Sequence, residues 1–424
     1  MDAPGNGTTI QQGQNIYNIG SITEANFGLK TESKPLNQYL TKVLISAIKD
    51  YSDDATKFLE DYKDQPDWNQ VSAISGEAQD YIISCYVNVL GGQLRPLIAI
   101  GMEPFSEDRT KRYIDKCIVA GKTALQILNY ALISDLWNQK KKQDFALLPE
   151  EATVLKSFFE YSRQLDWDTG LCANLFKTLI AIYTRQGLTA PMPELAGFNE
   201  KLNADGDFCK STDGLCSIQN AKDTDKYTDK NCEVAEKCLA DLLAVLGFLA
   251  SYKMVSIKSV NYEEVRNATP HYLHNYVELG AGNGTTAKAA GLRLVPDPVN
   301  TDAILLYKGN YMKTGINLFP FVIDYNDLNL TGGVKICVYS SIDVNKVKKT
   351  DDDDDDNTAS SAGVNIMRLY FPEDGTRQTI SFMDILKPDS NISALFRDEP
   401  SRIQLKKDAV FLQFWDAKKT ILGN

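Results

Sequence analysis

Apolar side chains recur at helical spacing through the first part of the chain. Leu36, Leu40 and Val43 lie at positions i, i+4 and i+7, so they would line one face of a helix. Proline interrupts the period, for example at Pro104, where one helix is expected to end and another to begin. The same spacing recurs in residues 81–90, 113–137, 152–165 and 232–254. The pattern predicts about seven or eight helices, which form a helical domain over residues 31–275.

Short apolar runs separated by turn residues replace the helical pattern in the last third of the chain. Their lengths and their content of β-branched and aromatic residues are typical of strands. The runs lie at residues 303–307, 318–324, 334–340, 366–371, 379–382, 403–405 and 410–415. They predict a β-rich domain over residues 276–424, arranged as a sandwich or a barrel. The predicted fold class is therefore α+β, with an N-terminal helical bundle followed by a β-rich domain.

The N-terminal segment differs in composition from the rest of the chain. Residues 1–30 are rich in Gly, Asn, Gln and Thr, and isoleucines are inserted between them at short intervals. Residues 10–20 suit stacked, in-register strands, in which amide ladders and apolar faces stabilise each other. Ile10, Gln11 and Gly13 resemble the core of amyloid signalling motifs of the RHIM type, which implies coupling to a protein partner by templated assembly. A disordered tail and a strand added to the chain's own β-domain are the alternatives.

The net charge and the cysteine content limit the classes of function that we expect of the protein. The formal net charge of −11 argues against a broad nucleic-acid surface, because phosphate binding depends on Lys and Arg. Much of the excess acid lies in residues 351–356, within an acidic loop expected over residues 348–363. The eight cysteines are scattered through apolar patterns, as reduced core thiols are. No run approaches the roughly 18 apolar residues of a membrane span, so we expect a cytoplasmic protein without membrane contact.

One candidate reaction site consists of Arg266, Asn267 and His271. The residues form an Arg-x4-His motif with a polar residue after the arginine, and this motif resembles that of HEPN-type ribonucleases, which are helical domains. The resemblance implies metal-independent RNA cleavage at a site shared by two copies of the chain. His271 would be the general acid or base, Arg266 would hold the phosphate, and Asn267 would orient the pair. A helix cap at Arg266 and a turn at His271 would explain the same residues without chemistry.

Two further motifs are typical of cofactor or metal sites but lack the expected context. Residues 277–284 read VELGAGNG and resemble the first glycine-rich loop of methyltransferases that use S-adenosylmethionine, although the segment before the next glycine is short for a helix. Four cysteines have spacings unlike those of zinc ribbons or fingers, namely Cys209, Cys216, Cys232 and Cys238. We therefore predict no cofactor and no metal.

These patterns together favour an interaction or sensor module over an enzyme. We expect a bacterial protein of an antiviral defence or conflict system, because both the RHIM and the HEPN resemblance point to such systems. Residues 1–30 would couple the module to a protein partner. A HEPN-type ribonuclease that acts on RNA as a homodimer is the first alternative, and a methyltransferase is the second.

Overall fold

Helices come first and antiparallel strands follow in the computed structural model of the chain, which confirms the predicted α+β class. The structure describes residues 35–161, 167–264, 266, 270–280, 287–295, 299–309, 315–344, 365–382 and 399–423. Residues 1–30 and the acidic loop 348–363 lie outside this part of the chain, so what the sequence indicates for them stays a prediction.

The helices before the first strand range from one turn to ten turns in length. The apolar period at residues 113–137 lies on one long helix, whereas the period at residues 81–90 crosses from one helix into the next. Their bounds are α1 Gln38–Ala47, α2 Asp53–Asp61, α3 Ser72–Cys85, α4 Asn88–Gly101, α5 Glu107–Lys142, α6 Pro149–Phe159, α7 Thr169–Gln186, α8 Asp207–Asn220, α9 Asp223–Lys226 and α10 Asp229–Val245.

The central element of this region is α5. The hydroxyl group of Ser106 fixes its start by accepting a hydrogen bond from the Arg109 amide at 3.0 Å, and Glu107 and Asp108 occupy its first turn. Within the described residues it is the one helix that is long and apolar enough, by length and composition, to cross a membrane. However, 94% of that apolar stretch is buried inside the protein, as expected for a core helix. The helices α4, α7, α8 and α10 pack around it.

Two antiparallel sheets follow the helices. Their strands are β1 Lys253–Glu263, β2 His271–Leu279, β3 Ala287–Val295, β4 Ile304–Tyr307, β5 Ile316–Asn317, β6 Val322–Asp324, β7 Ile336–Val344, β8 Asn365–Tyr370 and β9 Arg377–Phe382. The first sheet has the order β3-β2-β1-β4-β5 and the second the order β6-β7-β8-β9. A short helix, α11 Tyr325–Leu328, lies between β6 and β7, and the last described helix is α12 Glu399–Leu422.

Aromatic side chains join the helical region to the second sheet. The ring of Phe158 in α6 lies 5.3 Å from that of Tyr339 in β7, and the ring of Phe414 in α12 lies 4.7 Å from the same tyrosine. The hydroxyl group of Tyr339 donates to the Phe158 carbonyl at 3.0 Å, and that of Tyr130 in α5 donates to the Tyr339 carbonyl at 2.7 Å. Helices and sheet therefore share one hydrophobic core, and neither buries its apolar face alone.

The first strand begins at Lys253, inside the range 31–275 that was predicted to be helical. The strands β1 and β2 form an antiparallel pair in which Glu263 lies opposite His271. A 3-10 turn at Gly247–Ser251 follows α10 and keeps its apolar character, and the extended segment begins at Lys253 without a polar linker. Because the apolar run continues from helix into strand, the sequence does not mark the change of period.

The segments 403–405 and 410–415 belong to α12, so the strands predicted there are wrong. Apolar runs this short fit either a strand or one face of a helix, and packing decides between them. The buried positions follow the helical spacing, namely Val410, Phe414, Ala417 and Ile421. The strands β4, β7, β8 and β9 lie on predicted runs, whereas only β6 forms within residues 318–324.

Candidate functional site

The Arg-x4-His motif lies at the hairpin between β1 and β2. Arg266 is an exposed turn residue, and His271 is the partly buried first residue of β2. Asn267 lies outside the described residues. The helical setting expected for the motif is wrong, because strands and not helices flank it. The resemblance to HEPN-type ribonucleases then rests on the six-residue motif alone.

The second histidine and the glycine-rich loop belong to the same sheet. His274 is buried in β2, opposite Val260 of β1, and burial lowers the pKa of its imidazole. Gly280 follows β2, residues 281–286 lie outside the described part, and β3 then runs antiparallel to β2. In the methyltransferase motif a helix follows the glycines, so the structural context of that resemblance is wrong.

The four cysteines considered as zinc ligands are free thiols of α8 and α10. Within the described ranges, no group of three His, Cys, Asp or Glu side chains is placed to hold a metal ion. Burial raises the pKa of the Cys232 thiol to about 12, so this sulfur stays protonated near neutrality. A Cβ added at Gly214 would lie only 2.5 Å from the Cys238 sulfur. The absence of a side chain at Gly214 thus allows α8 and α10 to pack closely at Cys238.

The loop between α4 and α5 exposes two large apolar side chains. Met102 is 61% exposed and Phe105 is 49% exposed, and only Glu103 and Pro104 separate them. Single exposed apolar residues are ordinary on protein surfaces. Both side chains would lose contact with water if a partner protein covered this short loop. We call residues 102–105 the α4–α5 loop.

Arg109 fixes the first end of this loop. Its buried guanidinium donates from Nη2 to the Gly101 carbonyl at 2.6 Å and from Nε to the Ile100 carbonyl at 3.3 Å. The last carbonyls of a helix have no partner within the helix, so the guanidinium caps α4. Because Arg109 lies in the first turn of α5, the cap also fixes the two helices relative to each other.

Arg112 restrains the loop itself. Its Nε donates to the Asp108 carboxylate at 2.6 Å, and its Nη1 donates to Glu103 at 3.0 Å. A second bond, from Nη2 to the other Glu103 oxygen, makes the contact bidentate. Hydrogen bonding to Arg112 lowers the pKa of the Glu103 carboxyl group, which stays ionised. The pair is exposed, so it contributes little stability but limits the conformations of the loop.

The start of α1 packs against the same end of the helical region. The Asn37 amide donates to the Ile98 carbonyl of α4 at 2.8 Å and accepts from the Tyr113 hydroxyl group of α5 at 2.9 Å. A Cβ at Gly101 would overlap the Asn37 amide, so only glycine permits this approach. Three helices therefore meet behind Met102, which gives the loop a rigid base.

Cavities also lie elsewhere on the described surface. One of about 590 Å³ is lined by Glu194, whose carboxylate lies 2.6 Å from the Lys308 ammonium group and accepts from the Tyr252 hydroxyl group at 2.9 Å. Another, of about 540 Å³, is lined mostly by apolar residues that follow Tyr183 in α7. The Glu194 carboxylate is already paired within the protein, although Asp50, Lys201 and Asp207 also line the first cavity, and the second cavity has few polar groups.

No family model matches the chain, and neither a curated protein nor a solved structure matches it. Only the geometry of the α4–α5 loop therefore indicates a role for it. The sequence marks Pro104 and Ser106 as a helix end and a helix start. It does not mark the exposure of Met102 and Phe105, because an apolar residue at a helix break can face either the core or the solvent.

Proposed function

We propose that the chain is a protein-interaction or sensor module that binds its partner through the α4–α5 loop. The observation that carries the proposal is the exposure of Met102 and Phe105 on a loop that Arg109 and Arg112 hold in place. Residues 1–30 would couple the module to a protein partner.

A rigid apolar loop suits protein recognition for two reasons. Methionine and phenylalanine are enriched in protein interfaces, where they lose contact with water on binding. A loop that is already ordered loses little conformational entropy on binding, so more of the contact energy is realised as affinity. Buried apolar side chains near the centre of an interface often supply most of its binding energy.

The cellular context rests on resemblance alone. The RHIM-like segment and the Arg-x4-His motif favour a cytoplasmic protein of a prokaryotic defence or conflict system. A ribonuclease, with Arg266 and His271 of two copies acting on RNA, is the alternative function. It has weaker support than the interaction function because its motif lies at a β-hairpin. The methyltransferase has the least support, because an antiparallel strand follows its glycine-rich loop.

Substitutions on the loop provide the test. Tagged wild-type protein and the double variant Met102→Ser/Phe105→Ser are incubated with extract of the source cells, and the retained proteins are identified. The matched control is Val71→Ser/Leu148→Ser, which also removes two exposed apolar side chains, 48% and 39% exposed, from helix starts elsewhere. A third variant lacks residues 1–30.

We expect the wild type and the control variant to retain a partner that the double variant loses. Equal retention by the double variant would show that the loop is not the contact site. Failure of the wild type to retain any protein would contradict the interaction function itself. Loss of a partner on deletion of residues 1–30 would support the proposed coupling role of that segment.

A further inference from the structure

A cavity of about 590 Å³ lies where the C-terminal ends of α1 and α10 approach the start of α8. Part of its lining is apolar, namely Ala47, Phe208, Ala244, Val245 and Phe248. The two phenylalanines are buried and belong to the hydrophobic core. The volume falls within the range of roughly 300 to 1,000 Å³ that small-molecule sites occupy. The cavity is therefore large enough for an organic ligand with an apolar body.

Charged side chains also line this cavity. Glu194 already has an ion pair and a hydrogen bond within the protein. Asp50, Asp207 and Lys201 line it as well, and among the described residues their side chains have no ion pair and no hydrogen bond. Two carboxylates and one ammonium group are thus unpaired at the cavity, which leaves an excess of negative charge.

Two helices end at the cavity, α1 at Ala47 and α10 at Val245. The last carbonyl groups of a helix carry a partial negative charge, which favours a cation beside them. Neither α1 nor α10 has a basic residue in its last turn. The start of α8 has the opposite polarity, so the three helix ends together still leave the cavity negative. The backbone and the unpaired side chains therefore favour a ligand of the same charge, a cation.

An exposed aromatic ring is a further part of the lining. Tyr51 is 37% exposed, and the Lys308 ammonium nitrogen lies 5.8 Å from the centre of its ring. The face of an aromatic ring attracts a cation, as this contact with lysine illustrates. Carboxylates, helix C-termini and an aromatic ring each favour a positive group on the ligand, and the apolar side chains favour an organic body.

We propose that this cavity binds a small organic amine. The ammonium group is attracted by Asp50 and Asp207, and the apolar body lies against Phe208 and Phe248. Helix α1 begins beside the α4–α5 loop and ends at this cavity, roughly 15 Å away along its length. The inference goes beyond the proposed function, because it assigns a small-molecule ligand to a surface that the protein contact does not use.

Calorimetric titration of the full chain tests this site. The probe is phenethylamine, and phenethyl alcohol and hydrocinnamate are the neutral and anionic controls of similar size. We expect saturable binding of the amine, with a Kd at least about tenfold lower than that of either control. Added salt should weaken the binding, because Asp50 and Asp207 are exposed carboxylates.

Substitutions separate binding in the cavity from general attraction to an acidic protein. Asp50→Asn/Asp207→Asn should raise the Kd of phenethylamine at least about tenfold, and Ala244→Leu, which fills part of the cavity without a change in charge, should also raise it. The control Asp80→Asn removes an exposed carboxylate of α3 and should leave the Kd unchanged. Absence of saturable amine binding, equal Kd values for amine and alcohol, or an unchanged Kd in either cavity variant would overturn the proposal.

Discussion

Replacement of Asp327 by asparagine should stabilise the protein in alkaline solution and change it little in acid. The introduced side-chain amide never ionises, so it resembles protonated aspartate at every pH. The variant therefore removes one titration from the cluster of charged side chains that Asp327 forms with Asp302 and Lys406.

The magnitude follows from the two pKa values of this carboxyl group. Burial, followed by the neighbouring Asp302, raises its pKa to about 8 in the folded protein, against an ordinary value of 3.8 in the unfolded chain. Between these values the folded state binds a proton that the unfolded state does not bind. The free energy of unfolding therefore falls as pH rises from about 4 to about 8, and it levels off above that range. The difference between the folded and unfolded pKa values corresponds to about 6 kcal/mol of stability. Solvent access to the cluster reduces this loss to on the order of 2 to 3 kcal/mol.

Urea unfolding at several pH values between about 5 and about 9 measures this difference. The free energy of unfolding of Asp327→Asn minus that of the wild type should rise with pH and reach a plateau near pH 8. The control variant Asp416→Asn removes an exposed carboxylate, 2.6 Å from Lys141, and should change stability by less than about 1 kcal/mol throughout. Parallel curves for wild type and Asp327→Asn, or a variant that is less stable above pH 8, would refute the reasoning.

Further predictions concern the base of the α4–α5 loop and the hairpin motif. Arg109→Met should lower the free energy of unfolding by about 1 to 3 kcal/mol, because the buried Gly101 carbonyl loses its donor, whereas the Ile100 carbonyl still accepts from the Glu103 amide; a loss under about 1 kcal/mol would show that the cap is dispensable. Gly101→Ala should cost about 1 to 3 kcal/mol through overlap with the Asn37 amide. Its control Gly92→Ala, in the same helix with no atom within 4 Å, should be neutral or stabilise by up to about 1 kcal/mol, so equal effects would contradict the packing argument. Incubated with cellular RNA, wild type, Arg266→Ala and His271→Ala should all leave it intact, and cleavage by the wild type alone would favour the ribonuclease.

Helices with an unbroken apolar period could be predicted from the sequence, and the change to strands could not. The core helix α5 combines a serine cap, acidic residues in its first turn and continuous apolar character, all of which are local signals. In β1 the burial pattern at first shows no alternation, since its residues 254–257 are all buried. The local pattern there fits a buried helix as well as a strand, and only pairing with β2 and β4 selects the strand.

No local sequence pattern marks either the charged cluster or the α4–α5 loop, so sequence reasoning missed both. Asp302, Asp327 and Lys406 carry no shared motif, and the fold alone brings them within ion-pair distance. At the α4–α5 loop, the sequence shows a helix break but not that Met102 and Phe105 face the solvent. The Arg-x4-His motif is the opposite case. Its local spacing indicated a site on helices, but in the structure it lies at a β-hairpin.

The affinity of the captured partner for the α4–α5 loop tests the central claim most directly. Titration of that partner with wild-type protein and with Met102→Ser/Phe105→Ser should show a Kd at least about 30-fold higher for the double variant, equivalent to about 2 kcal/mol. The Val71→Ser/Leu148→Ser control should bind as the wild type does. Equal Kd values for all three proteins would contradict recognition through this loop.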